Sequence, residues 1–429
     1  MAVAGSARMK ESSSGSHIRD GTTERHALFL QGPPCPFFAR VARELRSLGW
    51  RTTKICLCAG DRLYWHGDRA VSYRGSLAHW PRFLTEFFAR ESVTDLVLLG
   101  EQRSYHKLAI EVAHARSVKV TVTDFGYLRP DWITLERDGM SGNSRFPRAL
   151  PQITALAGTL PAVDLSPRYR DSSFAMATGD LITSLANVLV FWLYPRYRQT
   201  EARAHPLAYF PAMGWRLLSA RARDAAARAQ VERLLASGQP FFVFPLQLEH
   251  DFQILAYSPF RDLLEPLRRV ITSFAGHAAP DARLVVKVHP WDPGERDWCR
   301  VVRRLGATAG VAGRIDCVDG GPLEALVPRA RGLVTVNSTA GLAALHAHCP
   351  VKTLGQAVYD VPGVTFQGEL DDFWQHARPP GAADVEALVR ALAGTVQVRG
   401  VFFADPGAAA AIHEVVRRLA HSAVGPPYL

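Results

Sequence analysis

The chain has 429 residues, 48% hydrophobic and 21% charged, with 50 Lys and Arg against 40 Asp and Glu and a formal net charge of +10. This composition excludes a disordered or fibrous chain and leaves room for two domains that each bury a core. The basic balance suits anionic substrates or membrane surfaces, and without a Lys/Arg-rich block or a recognisable nucleic-acid motif, nucleic acid ranks last.

Residues 1–25 are rich in Ser and Gly and lack an apolar h-region, so they read as a disordered N-terminal extension rather than a signal peptide. His26 to Gln31 predicts a short strand, Gly32-Pro-Pro-Cys-Pro36 a turn, Phe37 to Leu48 an amphipathic helix and Arg51 to Cys58 the next strand. Trp80 to Arg90 (helix), Asp95 to Leu99 (strand), Ala109 to Ala115 (helix) and Val118 to Val122 (strand) repeat the unit. A parallel sheet flanked by helices follows, spanning residues 26–170. Its strand ends carry polar loops: Gly60-Asp-Arg62, Tyr73-Arg-Gly75, Gly100 to His106, and Thr123 to Glu136 with Asp124 directly at the strand end. Open α/β sheets bind ligands there. Asp124 is therefore a candidate catalytic group, with a turn cap as its structural alternative; the loops around Arg62 and Arg74 mix a carboxylate, arginines and aromatics, as sugar sites and ordinary exposed loops both do. Asp131 and Glu136 form a second tier whose plain reading is a solvated loop.

Residues 171–237 predict a helical, basic and aromatic connection. The run Leu181 to Tyr194 is shorter than the roughly 18 to 20 apolar residues that span a bilayer. It reads first as a buried core helix, and alternatively as an interfacial helix with Arg196 and Arg198 on its flank.

A second domain is expected over residues 238–395, opening with the strand Pro240 to Pro245 and the polar loop Leu246 to Gln253. Leu284 to Val288 predicts a buried strand delivering Lys287, His289 and Asp292 to its carboxyl end. The strand Gly332 to Val336 runs into Asn337-Ser-Thr-Ala-Gly341 and a helix, a turn expected to leave N–H groups free for a phosphate. The tail, residues 396–429, is left unplaced, although a helix around Ala408 to Leu419 could pack back on the first domain. The six cysteines, Cys35, Cys56, Cys58, Cys299, Cys317 and Cys349, lack zinc spacing and read as reduced thiols; no metal or cofactor is expected.

Phe29-Leu-Gln-Gly32, Gly60-Asp-Arg62, Tyr73-Arg-Gly75, Gly126 to Glu136, Pro245-Leu-Gln247, Lys287-Val-His-Pro290, Asn337-Ser-Thr339 and Tyr359-Asp-Val-Pro-Gly363 occur in one order from His26 to Phe373. In this the chain resembles the capsule polysaccharide biosynthesis proteins of the KpsS/LipB type. The resemblance implies a GT-B-like fold, two Rossmann-like domains facing a central cleft. It implies a glycosyltransferase that moves 3-deoxy-manno-octulosonic acid (Kdo) from CMP-Kdo to a phosphatidylglycerol-type lipid, cytoplasmic and peripheral on the inner membrane of a Gram-negative bacterium. A second capsule Kdo transferase and the export machinery are then expected partners. Carried over by position, His289 would bind the CMP phosphate with Ser338 and Thr339, and Lys287 and Gln247 would assist at the donor; a donor that carries its own carboxylate then makes Arg62, Arg74, Arg103 and Arg129 candidates to pair with the sugar or acceptor. One departure stands out: the family usually has two acidic residues before the glycine, whereas this chain has Asp124-Phe125-Gly126. Two other readings stay open, a non-catalytic capsule assembly or export factor, for which Phe125 speaks, and a transferase of another CMP-sugar.

Overall fold

In a computed structural model, which describes residues 24–66, 69–198, 206–249 and 251–427, the strands are β1 (His26–Phe29), β2 (Arg51–Cys56), β3 (Ala70–Ser72), β4 (Asp95–Leu99), β5 (Lys119–Phe125), β6 (Trp132–Arg137), β7 (Phe241–Pro245), β8 (Arg283–Lys287), β9 (Ile315–Val318), β10 (Gly332–Thr335), β11 (Val351–Thr353) and β12 (Gln397–Arg399). The expected N-terminal extension lies outside the described residues up to position 23. The first sheet runs β12-β6-β5-β4-β1-β2-β3 and the second β11-β10-β7-β8-β9. Within the first, β3-β2-β1-β4-β5 is parallel and reverses its order between β1 and β4; the second is parallel throughout and reverses between β7 and β10. Each is a Rossmann-like sheet with its ligand crevice at that switch point. The two domains face a central cleft in a GT-B-like arrangement.

Strand parity builds the layers. On β1, Leu28 and Leu30 face one core while Ala27 and Phe29 face another; on β7, Val243 and Phe244 divide in the same way. Side chains alternating across a pleated strand explain why these runs are apolar throughout: both faces are covered. One of the cores is continuous from the first sheet to the second, joining Leu98 and Trp80 to Val243 and Leu333.

Three sequence expectations need correction. The first sheet is not wholly parallel: β6 pairs antiparallel with β5, Thr123 opposite Leu135, and β12 antiparallel with β6. The segment read as the polar loop after β5 is thus a tight return, and Asp131 and Glu136 are fully buried within it. Asp131 accepts the Arg168 and Tyr169 N–H groups at 2.7 and 3.0 Å and lies 3.0 Å from Arg399 Nε. Glu136 accepts the Tyr127 hydroxyl at 2.6 Å. Secondly, Cys299 and Cys317 form a disulfide that ties the helix Trp298–Thr308 to β9; Cys35, Cys56, Cys58 and Cys349 are free thiols.

Thirdly, the apolar run from Leu181 is not a core helix. On the helix Ser173–Leu189 the inward stripe is Gly179, Thr183 and Asn187, spaced four apart. Pro34 O presses so closely on Gly179 that a Cβ there would sit 2.2 Å from it, and Asn187 accepts the Gly60 N–H at 2.8 Å. Small and polar residues therefore make the contact, which turns Ile182, Leu185 and Leu189 outward with Phe191 and Trp192. The tail does pack back on the first domain, with a helix where one was expected: the helix Gly407–Ala420 packs Ile412, Val415 and Leu419 into the core shared with Phe37 and Val41.

Gln397, on β12, is fully buried. Its Oε1 accepts the Tyr127 and Leu128 N–H groups at 2.8 and 3.4 Å, and its Nε2 donates to Thr134 Oγ1 at 3.0 Å. Removing it strands two buried N–H donors. Gln397→Ala is expected to lower stability by about 2–3 kcal/mol, read as a fall in urea midpoint at unchanged slope; a loss below about 0.5 kcal/mol would mean that water replaces the amide.

Candidate active site

The cleft between the domains has a volume of about 1120 Å³, at the upper end of what small-molecule sites occupy. One wall is the crevice of the first sheet: Gln31 after β1, Gly100 to Arg103 after β4, and Asp124, Phe125 and Arg129 at the end of β5. The other is the crevice of the second: Gln247 and Asp251 after β7, His289 after β8, and Asn337, Ser338 and Thr339 after β10. Across this second switch point two amides interlock. Gln247 Nε2 donates to Asn337 Oδ1 at 3.0 Å, the Asn337 N–H donates to Gln247 Oε1 at 3.2 Å, and Gln247 also holds Asp251 Oδ2 at 3.1 Å. This exchange keeps the two loops in register around whatever they bind.

His289 is half-buried and lines the cleft. The Trp291 N–H donates to its Nδ1 at 3.1 Å, which fixes the neutral ring as the Nε2–H tautomer. Burial, with Lys287 and Arg129 nearby, lowers its pKa to about 4. At neutral pH it is thus an uncharged donor, not a cation. Lys287 itself does not line the cleft: it is buried, its Nζ donates to Gly320 O at 3.0 Å, and burial lowers its pKa. It lies on the wrong face of β8, sharing the side of Val285, and acts on the cleft only through its charge.

Ser338 and Thr339 do reach the cleft, but the turn is not a row of free N–H groups. The Ser338 N–H donates to Thr335 Oγ1, that of Ala340 to Ser338 Oγ, and those of Gly341 and Leu342 to the Ser338 and Thr339 carbonyls. Thr339 N–H and the two hydroxyls remain as donors. The Tyr359 hydroxyl donates to Ser338 O and braces the turn, and Gly341 leaves room for that ring, since a Cβ there would meet its hydroxyl oxygen at 2.3 Å.

Opposite, Asp124 accepts the N–H of Phe125 on Oδ1 at 2.7 Å. Burial raises its pKa against the pull of Arg103 and Arg129. Arg129 stands over the Phe125 ring, 5.4 Å from its centroid, its guanidinium near Asp124 and Asp171. Phe125, the residue in the usual acidic place, lines the cleft and packs edge-on against Phe402 at 5.4 Å. Of the expected arginines, Arg103 and Arg129 line the cleft; Arg62 and Arg74 are exposed and do not. In the Gly60-Asp-Arg62 motif the inward residue is Asp61, which accepts from the Leu57 N–H at 2.8 Å and from Gln31 Nε2 at 3.2 Å.

Sequence reasoning passed over Glu101, Gln102, Asp251 and Tyr257. Glu101 was legible, two residues past the end of β4; Tyr257 carries no signal, because its contact with the cleft wall spans 156 residues of sequence.

A sequence model of the family described as "Capsule polysaccharide biosynthesis protein" matches residues 94–403. The chain is 29% identical over 395 residues to the capsule polysaccharide modification protein LipB of Neisseria meningitidis, covering 88% of this chain and 91% of LipB. It is 30% identical over 388 residues to the capsule polysaccharide export protein KpsS of Escherichia coli, covering 88% and 96%. Among solved structures, the Thermosulfurimonas dismutans KpsC, described as a beta Kdo 2,7 transferase, aligns over 92% of this chain and 99% of its own with a TM-score of 0.44 and 15% identity.

The state of His289 gives a pH prediction. Its folded pKa of about 4 lies below the ordinary 6.5, so the unfolded chain binds the extra proton first, and the stability it contributes above pH 6.5 is lost as pH falls from there toward 4. In imidazole NMR, the signal absent from His289→Gln is expected to show the Nε2–H tautomer at pH 7 and a midpoint near 4; a midpoint above 6 would make it a cationic ligand instead.

Proposed function

The chain belongs to the capsule polysaccharide biosynthesis protein family, and on that basis we propose that it is a capsule glycosyltransferase moving Kdo from CMP-Kdo to a phosphatidylglycerol-type lipid. The observation that carries this reading is the opposition of two switch-point crevices, Asp124 and Arg129 on one wall and His289, Ser338 and Thr339 on the other. When CMP departs, negative charge grows on its phosphate. The Nε2–H of a neutral His289 and the Ser338 and Thr339 hydroxyls supply fixed donors for that charge, and a dry site strengthens them. The sugar acid brings its own carboxylate, for which Arg129 offers a guanidinium without a hydrogen-bonded partner among the described residues. Asp124 then acts as the nucleophile at the anomeric carbon.

The same reading gives the exposed apolar strip a purpose. No helix among the described residues is long and apolar enough to cross a membrane. Yet Phe174 and Leu218 are each 82% exposed and Trp215 72%, beside Leu189, Phe191 and Trp192, with Arg196 and Arg198 on the flank. Phe174, Leu181 and Leu217 also line the cleft, so the strip runs into the site. We assign it to peripheral contact with the inner membrane, where the lipid acceptor, a partner transferase and the export machinery would meet.

Incubation with CMP-Kdo and a fluorescent phosphatidylglycerol analogue, followed by mass spectrometry, is expected to show transfer. His289→Ala should slow it by about 10²–10³-fold, the loss typical of one transition-state donor, and Asp124→Ala should abolish it. CMP binding without transfer would favour another CMP-sugar; no CMP binding would favour a non-catalytic export factor. For the surface, Trp192→Ser with Leu218→Ser and, separately, Arg196→Glu with Arg198→Glu should each reduce sedimentation with anionic liposomes at unchanged CMP affinity. Undiminished sedimentation would refute the membrane assignment.

A further inference from the structure

A second carboxylate stands near Asp124, just past the end of the neighbouring strand. β4 and β5 are parallel with Leu99 opposite Thr123, and the Gly100 N–H still donates to Thr123 O at 3.0 Å, so Glu101 follows where the two strands end side by side. Gly100, with a φ of 65°, turns the chain here, and a Cβ on it would touch Asp124 Oδ2 at 3.5 Å. Glu101 is 4% exposed and lines the cleft. Its Oε1 is held twice, by the hydroxyl of Tyr257 from the second domain and by the Met140 N–H at 3.3 Å. Tyr257 is in turn oriented by Gln102, whose Nε2 donates to the same hydroxyl oxygen at 2.8 Å. Oε2 has no hydrogen-bond partner among the described residues, which leaves it for a ligand.

We infer that Glu101 is a further catalytic carboxylate of this site, the base that takes the acceptor's proton while Asp124 attacks the sugar. The inference rests on the transferase reading above and deepens it. In the first step an Asp124 oxygen bonds to the anomeric carbon, and the bond from that carbon to the phosphate oxygen breaks, its electron pair leaving with CMP. In the second the acceptor oxygen bonds to the same carbon and the bond to Asp124 breaks, returning its pair to the carboxylate. The acceptor O–H bond breaks with its proton passing to Glu101 Oε2, and from there to solvent as product leaves.

The surroundings suit a proton carrier. Burial raises the pKa of Glu101, and the negative charge of Asp124 on β5 acts in the same direction. Burial likewise pushes Glu136 to about 8. The cations in reach serve others: Arg103 draws on Asp124, and Arg148 on Glu136 while it donates to Ala357 O at 2.6 Å. Two neighbouring carboxylates in one dry site do not both ionise freely, which is how a pair of like groups comes to hold separate acid and base roles. Once Asp124 is esterified its charge is gone, and Glu101 releases its own proton before the acceptor attacks.

Glu101→Gln is expected to lower kcat at least about 100-fold, the scale of a lost general base, with CMP affinity within threefold of the parent as proof of folding. If the parent transfers Kdo and Glu101→Gln keeps more than a tenth of its rate, the inference fails while the transferase reading stands. A second measurement does not depend on activity. In protein carrying ¹³C-labelled glutamate carboxyls, the Glu101 midpoint should fall in Asp124→Asn, which removes a neighbouring charge, and rise in Tyr257→Phe, which removes a donor to the ionised form. A midpoint that stays put in both variants overturns the pairing whether or not CMP-Kdo is the donor.

Discussion

The fixed point of this molecule is the side chain of Gln397. The tail carries it back across the molecule into the first sheet, where it satisfies the backbone of the segment after β5 and the edge of β6 at once. A chain emerging from a parallel strand ordinarily drifts into a loop with its N–H groups in water. Here it must turn back as an antiparallel strand with Gly126, Tyr127 and Leu128 buried, and the amide supplies the partners that the tight return cannot supply for itself. Gly126 belongs to the same constraint, for a Cβ there would meet Trp132 O at 2.4 Å and Gln397 Oε1 at 2.8 Å. Asp124 and Arg129 stand on either side of this pinned turn. The chemistry of the first wall therefore depends on residues far along the chain.

How much of this was legible follows from which interactions are local. Apolar runs such as Phe241 to Phe244 and Leu284 to Val288 declare buried parallel strands, and a polar residue just past such a run falls at the crevice by geometry alone, as His289 and Asn337 do. Parity was harder. Lys287 lies within β8, on the side of Val285, and its charge is spent on a carbonyl behind the sheet; His289 is past the strand end, where parity no longer binds. Arg62 and Arg74 occupy the right loops and the wrong sides of them. β6 was hidden because Trp132 to Arg137 mixes charge with apolar residues, as loops do, and one of its two partners, β12, comes from the tail. The helix from Ser173 misled because an all-apolar surface usually means burial, whereas here the inward stripe is small and polar and the outward face is large.

The two walls of the cleft differ in kind. Around the second switch point the donors to a phosphate are neutral, a histidine held uncharged and two hydroxyls, on loops locked by the Gln247 and Asn337 amides, while Asp251 is held by Gln247 and Arg296 is paired with Glu249. On the first, charge is concentrated, with Asp124, Glu101, Arg103 and Arg129 in one crevice. Neutral donors are suited to a phosphate that is already anionic when it binds, since they stabilise added charge without holding the product as tightly as a fixed cation would. The charged wall is suited to bond making, where a carboxylate must be reactive and a carboxylate on the sugar must be oriented. Burial that raises a carboxylate's pKa also strips its hydration, and a poorly hydrated anion is a better nucleophile and base.

Position couples this cleft to the exposed strip. Gly179, Thr183 and Asn187 dock their helix against the first domain through close backbone approach, so the contact needs no large side chain and the large ones are left facing out. Phe174 and Leu181 on the same helix, with Leu217 on the long helix Pro206–Ala236, border both the strip and the cleft. An apolar side chain moved from water into hydrocarbon gains about 1.5–3 kcal/mol, and among the described residues ten exposed large apolar side chains lie between Phe174 and Leu218. Only part of that gain is needed to hold the protein at a lipid surface. In the proposed reading the orientation then follows from the fold: a strip that seats in lipid turns the mouth of the cleft toward the headgroups, and the acceptor's hydroxyl arrives at the charged wall from the membrane side while the soluble donor enters from the other.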